Sequence, residues 1–168
     1  MKLNDGERLI TVMLAEVMEA LKLNNEIDPK LVKTLAYDGD DWAIARKYPH
    51  LFRDETRASP VVKETGDILW MWGIIDHGIS KLAGAEADEA KGWHYNKFHG
   101  FDGNNDKHYH IALTMIQDLG EFGSQKALNS HTQTSLPRYR AMYEKFEGYI
   151  NRGEADPLSF GALRDLCS

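Results

Sequence analysis

The segment from Ser59 to Leu82 constrains this chain more than any other, because apolar residues occupy almost every side of it at helical spacing. Ser59-Pro60 is a helix start signal, and Val61, Ile68, Trp72, Ile75 and Ile79 recur as the main stripe of a 3.6-residue period. Trp70, Met71 and Ile74 lie off that stripe. A helix that is apolar all round is buried on most sides, or buried on one side and paired with a second molecule on the other. The expectation is an all-α, compact multi-helix domain around a central buried helix over about 59–82, with Trp70, Met71 and Ile74 as a self-association surface. Gly66, Gly73 and Gly78 would let neighbouring helices approach closely.

The other segments read as helices around it. Residues Asp5 to about Leu23 place Leu9, Ile10, Met13, Leu14, Val17, Met18 and Leu21 on one broad face, which is expected to be the face turned to the core. Asp28-Pro29 opens a short helix that Gly39 stops, and Asp40 or Asp41 caps a third that Pro49 closes. Arg53 to Ala58 reads as a polar linker. The stretch 83–106 is the least regular, with a helical turn over Glu86 to Ala90. Asn104 or Asn105 is expected to cap a helix carrying Ile111, Ala112, Met115 and Leu119. A loop over Gln125 to Thr134 precedes a helix capped by Ser135, and a last short helix carries Phe160, Leu163 and Leu166. No strand and no repeat is predicted, and residues 1–168 read as a single domain. The central helix is expected to pack on the first helix and on those starting near 105 and 135.

Composition excludes more than it assigns. A net charge of -6 without a basic run argues against a general nucleic-acid surface, whose affinity comes from clustered Lys and Arg. The most apolar stretch, Ile68 to Ile75, is too short to span a bilayer, and no apolar leader follows Met1, so a cytoplasmic protein is expected. The lone cysteine, Cys167, cannot form an intrachain disulfide; it is read as an inert thiol.

The residues Glu7-Arg8-Leu9, Asp67-Ile68-Leu69 with Met71-Trp72, Gly100-Phe101-Asp102-Gly103-Asn104, and Leu128-Asn129-Ser130-His131 followed by Tyr139 and Met142 resemble the YfbU family of bacterial helical proteins over nearly the whole chain. That resemblance implies a helical fold. It carries no catalytic residues to transfer, so the chemistry rests on residue types.

Glu16-x-x-Glu19 and Glu64-x-x-Asp67 are carboxylate pairs at i, i+3, a spacing that puts both members on one side of a helix. Two such pairs on packed helices would gather four carboxylates around Mg²⁺. The text around Glu64 and Asp67 also resembles the second carboxylate helix of MazG-like nucleotide pyrophosphohydrolases, without a match to that family's downstream substrate motif. A solvated Glu19 and an acidic first turn at Glu64 are the structural alternatives. His108 falls on an apolar stripe as a core histidine while His110 points outward, and no zinc-type spacing is present. Asp102-x-Asn104-x-Asp106 lacks the Gly and Glu of a calcium loop and reads as a turn. Asn129, Ser130 and His131 form a polar loop.

The leading expectation is a cytoplasmic helical binding or regulatory protein, a homo-oligomer without a cofactor. Asp102, Asn104, Asn129, Ser130 and His131 would contact a small-molecule or protein partner. The alternative is a Mg²⁺-dependent nucleotide phosphohydrolase using Glu16, Glu19, Glu64 and Asp67.

Overall fold

The computed structural model describes residues 2–23, 25–52, 59–131 and 135–168. Asn24, the linker read over Arg53 to Ala58, and the last residues of the loop before Ser135 lie outside the described residues. Within them the chain is all-α: α1 (Asp5–Ala20), α2 (Pro29–Asp38), α3 (Asp41–Lys47), α4 (Pro60–Ser80), α5 (Gly84–Lys91), α6 (Lys107–Leu113), α7 (Ser135–Asn151) and α8 (Phe160–Cys167). They fall into two compact units, residues 1–59 and 60–168. No described helix is long and apolar enough to cross a membrane.

In the first unit, α1 begins on a reciprocal cap in which Asn4 accepts from the Glu7 backbone N–H and the Glu7 carboxylate accepts from the Asn4 N–H, both at 2.9 Å. Asp28 caps α2 through the Lys30 and Leu31 amides, and Gly39 closes it at φ 79°, a left-handed conformation that suits glycine. Asp40 precedes α3 without a side-chain cap bond, because its carboxylate accepts from Trp42 Nε1 instead.

α1 packs along α2, and through the side opposite to the one its hydrophobicity predicts. Val12 and Ala15 are buried, whereas Leu9, Ile10, Met13, Leu14, Val17 and Leu21 are exposed, from Val17 at 51% to Leu21 at 64%. The cause is polar. Arg8 donates to the Ala36 carbonyl and to Asp41 at 3.0 Å, while Lys33 pairs with Glu19 at 2.6 Å. Arg8, Val12, Ala15 and Glu19 follow one another at i, i+4, i+7 and i+11, so the two anchors fix the rotation that buries the small residues between them. Glu19 therefore faces α2 and is not a solvated charge.

In the second unit, α4 packs against α6, α7 and α8. Val62, Thr65, Ile68, Leu69, Met71, Trp72 and Ile75 are buried along it, so burial covers most of the helix as the all-round apolar pattern requires. Met71 is completely enclosed and leaves the expected self-association surface, while Trp70 keeps 42% exposure with its ring edge-on to Phe146 at 5.3 Å. Around Trp72 an aromatic cluster closes: Phe98 at 5.8 Å, Tyr139 at 5.6 Å, and Phe101 5.8 Å from Tyr139. The turn read over 86–90 is the full helix α5. α6 starts after Asp106 rather than Asn104 or Asn105 and runs into a π-helical turn, Thr114–Asp118.

The two tryptophans, two residues apart on one helix, should separate in their energetics. Trp72→Ala is expected to destabilise the second unit by about 3–5 kcal/mol, the range for emptying an enclosed aromatic site. Trp70→Ala should cost about 1–2 kcal/mol, since half of that ring already meets water. Urea denaturation followed by far-UV circular dichroism measures both.

Candidate functional site

Glu64 is held by donors from two other helices of the second unit. Arg140 Nε donates to its Oε1 at 2.7 Å and an Arg140 terminal nitrogen to its Oε2 at 2.9 Å, a two-pronged pairing between α4 and α7. His108 Nε2 from α6 adds a third bond, to Oε2 at 2.7 Å. A carboxylate only accepts, so Nε2 carries the proton; the other ring nitrogen is buried without a partner. The His108 ring stacks on Phe101 at 5.5 Å, which makes it a core histidine as its place on the apolar stripe predicts. Arg140 first, and His108 with it, holds the Glu64 carboxyl down at about 2. Sequence reasoning found Glu64 and His108 separately and missed Arg140, the cation that a carboxylate inside an apolar stripe demands.

Glu64 and Arg140 border a groove of about 630 Å³ between α4 and α7. Val61, Ile68 and Tyr143 give it apolar walls; Lys63 pairs with Asp67 at 2.5 Å and Arg140 with Glu64. Phosphates entering here would compete with Asp67 for Lys63 and with Glu64 for Arg140, so the groove offers its charges already neutralised.

The carboxylates proposed for Mg²⁺ are distributed between the two units. Glu16 is exposed on α1, Glu19 is paired with Lys33, Glu64 carries three donors and Asp67 holds Lys63. Among the described residues no three His, Cys, Asp or Glu side chains gather as a metal group would.

The polar loops do meet. Phe101 and Asn129 form an isolated parallel bridge, with Phe101 N to Leu128 O at 3.1 Å and Ser130 N to Phe101 O at 3.0 Å. Gly100, at φ 85°, passes so close to Leu128 that a Cβ would strike its carbonyl. Asn129 Oδ1 accepts from both Gly103 N and His131 N at 3.0 Å. Asp102 accepts from Asn105 Nδ2 at 2.6 Å and Asn104 N at 2.9 Å, bonds that hold its carboxyl below the usual range. The Ser135 hydroxyl donates to Gly100 O at 2.9 Å, and Tyr139 Oη joins it at 3.2 Å while accepting from His99 N at 3.1 Å. Of the candidates for ligand contact, Asn129 therefore fastens the two loops, while Asp102 and the Asn104 amide brace the turn of the first loop. His131 stands exposed at φ 50°.

One contact escaped the sequence reading. Gln125 donates to Asp76 at 2.6 Å, and burial pushes the Asp76 carboxyl up. Cys167 is enclosed in the core with its thiol pushed up to about 12 by burial, which makes it inert in agreement with the sequence.

Because Glu64 lies below its usual 4.5 in the folded protein, its stabilising contribution is complete above that value and is lost as pH falls toward about 2. Glu64→Gln should lower stability at neutral pH by roughly 1–2 kcal/mol, a range kept modest because the pair is partly solvated. The variant should also flatten the acid limb of a stability-against-pH curve between those two values. At the loops, Asn129→Ala should accelerate amide exchange at Gly103 and His131 and leave the helices protected, as followed by two-dimensional NMR.

The chain was compared with protein families, functionally curated proteins and solved structures. No functionally curated protein and no solved structure matches it. The model of the YfbU domain matches residues 1–165, which takes in both units and both of the loops that fasten together. The chain therefore belongs to the YfbU family.

Proposed function

We propose that this chain is a cytoplasmic helical binding protein whose contact surface is the outward face of α1. One observation carries the reading: Leu9, Ile10, Met13, Leu14, Val17 and Leu21 are all exposed. With Gly6 and Ala20 they fill an arc of about 140° without a charged residue, at 100° per residue. Soluble proteins rarely leave contiguous apolar patches of more than a few hundred Å² uncovered unless something binds there. No described helix of the first unit covers this one.

Contact, rather than catalysis, is also what the acidic residues favour. Glu19, Glu64 and Asp67 each hold a cation of the chain itself, so a metal would have to displace a formed ion pair at every one.

Val17→Glu tests the reading. A contact surface tolerates the charge, so the variant should keep its helical circular dichroism spectrum and unfold cooperatively. Loss of helix would place Val17 in a core and overturn the proposal. The wild-type protein should give no heat on titration with Mg²⁺ or Mn²⁺ and release no pyrophosphate from nucleoside triphosphates; turnover that Glu64→Gln abolishes would replace the binding reading with the hydrolase one.

A further inference from the structure

We propose that the partner on this face is a second copy of the chain, and that the two α1 helices pair antiparallel about a two-fold axis passing between Met13 and Leu14. The inference rests on the reading of the α1 face as a contact surface and names its occupant.

Size is the first argument. Six large side chains exposed to between half and two-thirds make a patch on the order of 600 Å² per copy, against about 800 Å² per partner in a stable interface. A face that supplies most of an interface and buries against itself satisfies both copies with one surface, which is the condition for a two-fold dimer.

Register is the second. With the axis between Met13 and Leu14, residues whose numbers sum to twenty-seven stand level. Ile10 then lies opposite Val17 of the second copy, Met13 opposite Leu14, and Gly6 opposite Leu21. The largest projection at one end of the face meets the residue without a side chain at the other. Among the described residues of its own unit Gly6 has no neighbour nearer than the Asn4 side chain at 3.4 Å from an added Cβ, so close packing against them does not account for it.

Charge decides direction. The first turn of α1 carries Asp5 and Glu7, its last turn carries no basic residue, and Lys22 follows just beyond the helix, exposed. A parallel pair would set the two acidic turns side by side and align the helix dipoles. The antiparallel pair brings Lys22 of each copy to the acidic end of the other and opposes the dipoles.

Sedimentation over a dilution series should give a dimer for the wild type, with dissociation at least tenfold easier for Val17→Glu and about two- to fivefold easier for Lys22→Glu. Mixed Ile10→Cys and Val17→Cys chains should cross-link to each other on mild oxidation, and Ile10→Cys alone should not; Cys167, enclosed in the core, stays out of the reaction. Cross-linking of Ile10→Cys to itself would mean a parallel pair and overturn the proposal. A wild-type monomer would overturn it too. If Val17→Glu nevertheless folds normally, the contact surface survives with another occupant, whereas a Val17→Glu chain that loses its helices removes the surface itself.

Discussion

The Tyr139 side chain ties the helices of the second unit to its irregular stretch. Its ring closes the cluster of Trp72, Phe98 and Phe101, and its hydroxyl lies between Gly100 O and His99 N. One side chain on α7 thus packs against α4 and satisfies backbone of the irregular stretch before α6. The same burial pushes the phenol up to about 12, so it remains a neutral donor across the physiological range. With Ser135 also bonded to Gly100 O, the loop that carries Asp102 is pinned from beneath, and Asn129 pins it from the side.

The first unit shows a polar constraint prevailing over a hydrophobic one. The apolar moment of α1 would turn Ile10, Leu14 and Val17 inward, but Arg8, Asp41, Lys33 and Glu19 make their bonds only when the opposite side faces α2. Asp41 shows how firmly: its carboxylate is almost wholly buried, holding Arg8 and the Leu3 amide together. Breaking such a pair by removing one partner costs about 3–5 kcal/mol, which outweighs what the apolar side of α1 would gain by turning inward only provided that this side is covered by something else. That proviso is what links the local packing of α1 to a role in contact.

Ion pairing also explains why acidic residues that look like a metal site in one dimension behave differently in three. Spacing of i, i+3 puts Glu64 and Asp67 on one side of α4, as helix geometry requires, but what they meet is Arg140 from α7 and Lys63 from the preceding turn of α4 itself. A carboxylate inside an apolar stripe needs a positive partner, and the chain provides one from its own side chains.

The sequence by itself determined the helices, because apolar period, Pro at helix starts and Gly at helix ends act within a few residues: Asp28-Pro29, Gly39 and Ser159 stand where the local chemistry puts them. It also determined that the stripe of Ile68, Trp72 and Ile75 on α4 is buried, while leaving open whether the other side of that helix is buried too or paired with a second molecule, and it read the segments around Asp102 and Asn129 as turn and loop. It placed the cap of α6 at Asn104 or Asn105, and the structure moves the start to Asp106, because Asn104 and Asn105 are taken up by Asp102 in the preceding turn. Only the tertiary structure decided that Glu64 meets Arg140 and His108, that the two polar loops fasten to each other, and which side of α1 is buried. Those outcomes turn on the relative rotation of helices and on partners as many as 76 positions apart in the chain, and no local pattern encodes them.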